Sequence, residues 1–164
     1  MSFTLIARPL TAVAFAPFGD VIETAGVTPR LINNGFAERF DDLARIDAGQ
    51  GGGRAGLSLF AAKPRATPVA LDLMERHPLG SQAFVPLSAA PFLIVVAPIG
   101  DHVALDALQA FVTDGRQGCN YRAGVWHHPL LALVPQSFLV VDRHGPGANL
   151  DERPLPGAVH VVLP

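Results

Sequence analysis

Apolar positions along this chain alternate over short stretches and are broken often by turn residues, a pattern of many brief β-strands with little room for amphipathic helix. Strand-like runs fall at Ser2 to Ala7, Asp20 to Thr24, Gly56 to Ala62, Ser81 to Leu87, Pro91 to Ala97, Leu130 to Val134, Ser137 to Asp142 and Ala158 to Leu163. In Ser81 to Leu87, Gln82, Phe84 and Pro86 share one face and Ala83, Val85 and Leu87 the other. Phe92 to Val96 and Phe138 to Val141 are apolar on both faces, as expected in the middle of a sandwich or barrel. Helical signals are few. Pro68 to Arg76 has proline where a first turn accepts it, an i, i+3 pair in Leu71 and Met74, and a stop at His77-Pro78. Leu105 to Ala110 and Leu10 to Ala16 are shorter candidates. Asp47 to Arg54, with four glycines in eight residues, reads as a flexible loop. The predicted fold class is all-β with a few short helices, a β-sandwich or small barrel.

Composition narrows the picture. The 16 glycines and 15 prolines in 164 residues disfavour a helix bundle, and 49% hydrophobic against 16% charged residues disfavours disorder. One domain spanning 1–164 is expected. Net charge is −2 and no basic run occurs, so nucleic acid is not an expected partner. Cys119 is the sole cysteine, which excludes an intrachain disulfide and a cysteine-based zinc site and suits a reducing, cytoplasmic setting. The most apolar run, Pro91 to Pro98, is far below the ~18 residues of a membrane span, so no membrane association is expected. Leu10 to Phe18 loosely imitates a signal peptide but is broken by Pro17 and reads as mature protein.

Six histidines carry most of the candidate chemistry, and two neighbourhoods stand out. In Leu73-Met-Glu75-Arg-His77-Pro-Leu-Gly80-Ser-Gln82, an extended chain puts Glu75 and His77 on one face, and a turn at Pro78 to Gly80 leads to Gln82. In Asn120-Tyr121-Arg-Ala-Gly124-Val-Trp126-His127-His128-Pro129, alternation lets only one of the two histidines look inward. This layout resembles the cupins, whose first motif supplies two histidines and a glutamate and whose second supplies one more histidine. Arg122-Ala-Gly124-Val-Trp-His127 matches the second motif with arginine in place of proline. In the first, Glu75 stands where a histidine is usual and Gln82 where a glutamate is usual.

The resemblance narrows further. Phe15-x-x-Phe-Gly-Asp-Val-Ile22, Ile32-Asn-Asn-Gly35 with Glu38-Arg39, Glu75-Arg-His-Pro-Leu-Gly80, Gln82-Ala-Phe-Val-Pro86, Asn120-Tyr121, Val125-Trp-His-His-Pro-Leu130 and Asp142-Arg143 occur in this order. Together they are similar to the ureidoglycolate lyase family over nearly the whole chain. The resemblance implies a double-stranded β-helix (jelly-roll) barrel, a homodimer, and cleavage of (S)-ureidoglycolate to glyoxylate and urea in allantoin breakdown. It requires no organic cofactor and allows nickel or manganese. With two of the usual ligands replaced, a metal on Glu75, His77 and His127 is expected to be weak or optional. A non-catalytic cupin binding a small carboxylate, or a sugar isomerase or epimerase, are the rival readings.

The chemistry constrains the roles. Breaking a C–N bond on a carbon that also bears a hydroxyl needs a base at the hydroxyl and an acid at nitrogen. Histidine tuned by a carboxylate does either. Glu75, His77, His127 and Tyr121 are the catalytic candidates, with base and acid unassigned. Arg39 and Arg143 are candidate forks for the substrate carboxylate, and Asn34 and Gln82 candidate polar contacts. Asn33, Asn34 and Gly35 equally suit a simple turn. His128 is expected on the outer face, where it could pack at a dimer interface. Arg76 should face away from His77, and Trp126 should be core. His102, His144 and His160 lack supporting neighbours, and Cys119 carries no sign of activation.

Overall fold

The computed structural model describes residues 2–164. Its strands are β1 (Ser2–Ile6), β2 (Arg8–Pro9), β3 (Gly19–Ile22), β4 (Arg30–Ile32), β5 (Ala37–Arg39), β6 (Arg54–Ala62), β7 (Val69–Arg76), β8 (Gln82–Pro86), β9 (Phe92–Ala97), β10 (Gln109–Val112), β11 (Gly118–Tyr121), β12 (Trp126–His127), β13 (Leu131–Ala132), β14 (Gln136–His144) and β15 (Asp151–Val162). One short helix, α1 (Ala12–Phe15), begins where the Thr11 hydroxyl accepts from the Ala14 N–H. The all-β expectation holds. Among the described residues, no helix is long and apolar enough to cross a membrane.

Eight strands form a sheet in the order β1-β15-β7-β12-β9-β10-β2, with β13 also paired to β9. Only Ala7 separates β1 from β2, so the path returns to its start and the sheet curls into a nearly closed barrel. Leu5, Val69, Leu71, Met74, Leu93, Val95, Trp126, Val159 and Val161 fill its hollow. A five-stranded sheet, β3-β11-β8-β14-β6, faces its outside. Between the two lies an aromatic core that includes Phe15, Phe18, Phe84, Phe92, Phe111, Tyr121 and Phe138. This explains why β9 reads as apolar on both faces: Leu93, Val95 and Ala97 enter one core, Phe92, Ile94 and Val96 the other.

The helix expected over Pro68 to Arg76 is instead strand β7, flanked on both sides by β15 and β12. The helical spacing of Leu71 and Met74 has a different cause. The register between β7 and β15 slips between Pro154 and Val159, and across that irregularity the inward positions change from Val69 and Leu71 to Met74. A bulge of this kind resets which face a strand presents. Here it turns Glu75 away from the barrel hollow and toward the five-stranded sheet. Leu105 to Ala110 is likewise not a helix beyond the single 3-10 turn Leu105–Ala107, after which β10 begins. The glycine-rich loop is pinned: the buried Arg143 guanidinium donates to the backbone oxygens of Gln50 (2.8 Å), Gly51 (3.4 Å) and Pro146 (2.7 Å).

Candidate active site

β12 is only two residues long, wedged between β7 and β9, and its alternation decides the site. Trp126 enters the barrel hollow, as expected for a core residue, and its indole N–H donates to the Gly100 carbonyl at 2.9 Å. His127 therefore points the other way, directly opposite Glu75 in the ladder. Opposed residues on one face of an antiparallel pair lie within side-chain reach, and His127 Nε2 is 3.5 Å from Glu75 Oε1. His127 is 1% exposed, and its Nδ1–H donates to the Val125 carbonyl at 3.0 Å. In the neutral ring this leaves the Nε2 lone pair facing the site, buried and without a hydrogen-bond partner. Burial holds His127 below the usual imidazole range, outweighing the contact with Glu75. The Tyr121 ring stacks on it with centroids 4.1 Å apart and planes 9° from parallel.

His77 leaves the end of β7. Its backbone carbonyl accepts from the Gly124 N–H at 2.9 Å, which ties the two motif segments together. Its Nδ1 lies 2.8 Å from the Asn149 carbonyl, its Nε2 3.2 Å from Gln82 Oε1 and 3.9 Å from Glu75 Oε1. The Gln82 amide in turn donates to Asp142 Oδ2 at 3.4 Å. Both His77 nitrogens thus face oxygens, with the Glu75 carboxylate beside Nε2. Glu75 is poised between the two rings. Burial raises its proton affinity, but the neighbouring His127 and His77 rings outweigh this and hold its carboxyl below the ordinary value.

The floor of the site is one row across the five-stranded sheet: Tyr121, Gln82 and Asp142 are neighbours in register on β11, β8 and β14. Asp142 and Asn149 were not among the candidates from sequence. Asp142 was legible in principle, because it continues the inward alternation Phe138, Val140, 142 along β14. Asn149 was not, since it acts through its backbone oxygen from a loop. His144, expected to lack neighbours, has Nε2 3.0 Å from Asp142 Oδ1, although off the line of a hydrogen bond.

Other candidates lie elsewhere. Arg143, adjacent to Asp142, points to the opposite face of β14 and is held by loop carbonyls. Arg39 is on the exposed β4–β5 hairpin, paired with Asp41, and Asn34 is exposed at that hairpin's turn. Arg76 faces away as expected, stacked over Trp126 and paired with Asp151 at 2.8 Å. His128, expected on an outer face, is 2% exposed within its own chain: Nδ1 meets the Pro129 carbonyl at 2.8 Å and Nε2 lies 3.3 Å from Asp72. Burial lowers its proton affinity too. The Tyr121 phenol is pushed well up by burial, with the Cys119 thiol beside it. Burial likewise pushes that thiol up to about 12, so it is not a nucleophile.

Glu75, His77 and His127 each offer a donor atom, all within 4.8 Å of one another. With an orphaned, buried imidazole nitrogen aimed at a carboxylate and a second imidazole, this set is compatible with a first-row divalent ion.

The paired imidazoles and the carboxylate lie between a curled, barrel-like sheet and the five-stranded sheet that faces it, an arrangement consistent with a cupin β-barrel. The ureidoglycolate lyase family model matches residues 2–162. The chain is 57% identical over 156 residues to a ureidoglycolate lyase of Burkholderia mallei, covering 93% of this chain and 90% of that one. It is 55% identical over 149 residues to a ureidoglycolate lyase of Pseudomonas syringae pv. syringae (90% and 88% covered). A third, from Pseudomonas aeruginosa, is 53% identical over 150 residues (91% and 89%). The chain belongs to the ureidoglycolate lyase family.

Proposed function

We propose that this protein is a carbon–nitrogen lyase that cleaves ureidoglycolate, the (S) form, to glyoxylate and urea. The observation that carries the reading is His127: a buried imidazole whose Nδ1–H is committed to the Val125 carbonyl, so that Nε2 is a fixed acceptor. His127 Nε2 takes the proton of the substrate hydroxyl. The O–H electrons become the new C=O bond, the C–N bond breaks, and its electron pair goes to the ureido nitrogen. His77 protonates that nitrogen and urea leaves. The enzyme then holds a proton on His127 and lacks one on His77. Glu75, 3.5 Å from one ring and 3.9 Å from the other, carries it back. Positioned acid–base groups of this kind contribute about 10²–10⁴ in rate each. Tyr121, by stacking, keeps the His127 ring in plane.

Glu75, His77 and His127 are the residues that would hold a nickel or manganese ion, which would polarise the substrate oxygens when bound. Its binding is weak and optional, because Gln82 already engages His77 Nε2. Most activity therefore persists after exhaustive chelation, and purified protein carries metal below one equivalent. A stoichiometric ion essential for turnover overturns this. The protein acts as a cytoplasmic homodimer.

The decisive assay is incubation with ureidoglycolate while glyoxylate, urea and ammonia are measured together. Glyoxylate and urea in equal amounts without ammonia are expected. Ammonia and carbon dioxide would mean hydrolysis of the ureido group, and no product would leave a binding module.

A further inference from the structure

We propose that the β4–β5 hairpin is an exchanged arm: in a dimer, the arm of each copy lies at the mouth of the other's site and supplies Arg39 to the substrate carboxylate. The inference rests on the reading above that the substrate is an anion. Three observations lead to it.

First, the site carries the wrong charge for its ligand. Its acids are Glu75 and Asp142, and among the described residues no lysine or arginine forms an ion pair with either. Arg143 and Arg76, the nearest in sequence, are committed to loop carbonyls and to Asp151. Histidines face both acids, but a carboxylate entering beside them calls for an arginine or lysine fork, which neither Arg143 nor Arg76 is free to supply.

Second, the hairpin has no home on its own subunit. Its strands pair only with each other. No residue from Arg30 to Arg39 is buried, and Leu31 is 65% and Phe36 92% exposed. An isolated two-stranded hairpin is marginal in water, so a turn with Asn33 and Asn34 in the left-handed region (φ 52° and 56°) calls for covering contacts.

Third, the hairpin springs from a strap on the outer face of the sheet whose inner face carries the site. Residues 23–53 connect β3 to β6, the two edge strands of the five-stranded sheet. This strap is fastened at Asn120 (Nδ2 to the Arg45 carbonyl, 2.8 Å), at Ser81 (N–H to the Asp47 carbonyl, 2.8 Å) and at Arg143. These residues are the chain neighbours of Tyr121, Gln82 and Asp142. Along a strand such neighbours point to opposite faces, so the strap crosses the outer face of the five-stranded sheet behind the site row, and the arm projects from that outer side. At the arm's base, Arg30 and Arg39 stand opposite each other and share one carboxylate, Asp41. A second copy of this chain thus brings the missing positive charge together with the apolar side chains that need covering. Two-fold symmetry repeats the exchange at both sites.

The test is complementation. Arg39→Ala and His127→Ala chains are co-expressed with different tags and the mixed dimer is purified. Each variant homodimer is expected to lose activity, Arg39→Ala by at least a tenfold rise in KM. The mixed dimer has one site with both groups intact and is expected to recover about half the wild-type turnover per dimer. A mixed dimer no more active than its parents, or an Arg39→Ala enzyme with unchanged KM, overturns the proposal. Light scattering supplies a second readout free of the substrate assignment: wild type is dimeric and Phe36→Asp monomeric. A monomeric wild type, or a dimer indifferent to Phe36→Asp, overturns the arm. A wild type that is dimeric, loses its dimer with Phe36→Asp, yet leaves ureidoglycolate untouched overturns the substrate reading instead.

Discussion

His127 and Tyr121 act as one unit, and the two can be separated by mutation. His127→Ala removes the fixed acceptor and is expected to lower kcat by about 10²–10⁴, with little change in KM because the proposed carboxylate anchor, Arg39, is untouched. Tyr121 offers its ring face to His127 while its hydroxyl sits beside the buried Cys119 thiol. Tyr121→Phe keeps the stack and should retain activity within a few-fold; Tyr121→Ala leaves a cavity and should cost about 3–5 kcal/mol of stability in denaturant titration. A large kcat loss in Tyr121→Phe would instead make the phenol a proton donor. Glu75, His77 and His127 could be read as candidates from two motif segments. Which imidazole nitrogen is free could not, because that depends on the carbonyls of Val125 and Asn149.

Among the elements, β7 is the most instructive. Its sequence carries a helical spacing, yet two flanking strands claim its backbone hydrogen bonds, and the irregularity against β15 turns Glu75 into the site. Intrinsic preference is a weak prior that tertiary pairing overrides. The β3–β11 pair makes a sharper prediction. A Cβ on Gly19 would sit 1.8 Å from the Asn120 carbonyl oxygen, so Gly19→Ala must push β3 off the strand that carries Tyr121. A loss of about 2–3 kcal/mol is expected from denaturant unfolding, together with lowered kcat. Little effect on either would mean that β3 shifts freely and does not support the site.

At the scale of the whole molecule, two buried histidines tie stability to pH. His127 and His128 are both held below the ordinary imidazole value by burial. As pH falls through about 6.5, the unfolded chain takes up protons that the folded chain refuses, so stability present at pH 7 is lost toward pH 5. The Glu75 carboxyl, also lowered, adds a loss of the same sign below its own unfolded value. The melting temperature is expected to drop between pH 7 and pH 5, and His128→Asn should flatten that slope without touching His127, the proposed base. A melting temperature indifferent to pH over this range would contradict the burial. The sequence by itself determined a strand-rich barrel, the two motif segments and the residues of the Glu75, His77 and His127 cluster as candidates, since alternation, turn residues and side-chain type are local properties. Only the tertiary structure decided that Pro68 to Arg76 is a strand, that Asp142 closes the polar row, and that Arg143 is spent on a loop while Arg39 stands on an uncovered arm. Each of these depends on which backbone groups and faces meet across distant parts of the chain, and no spacing within one segment encodes that.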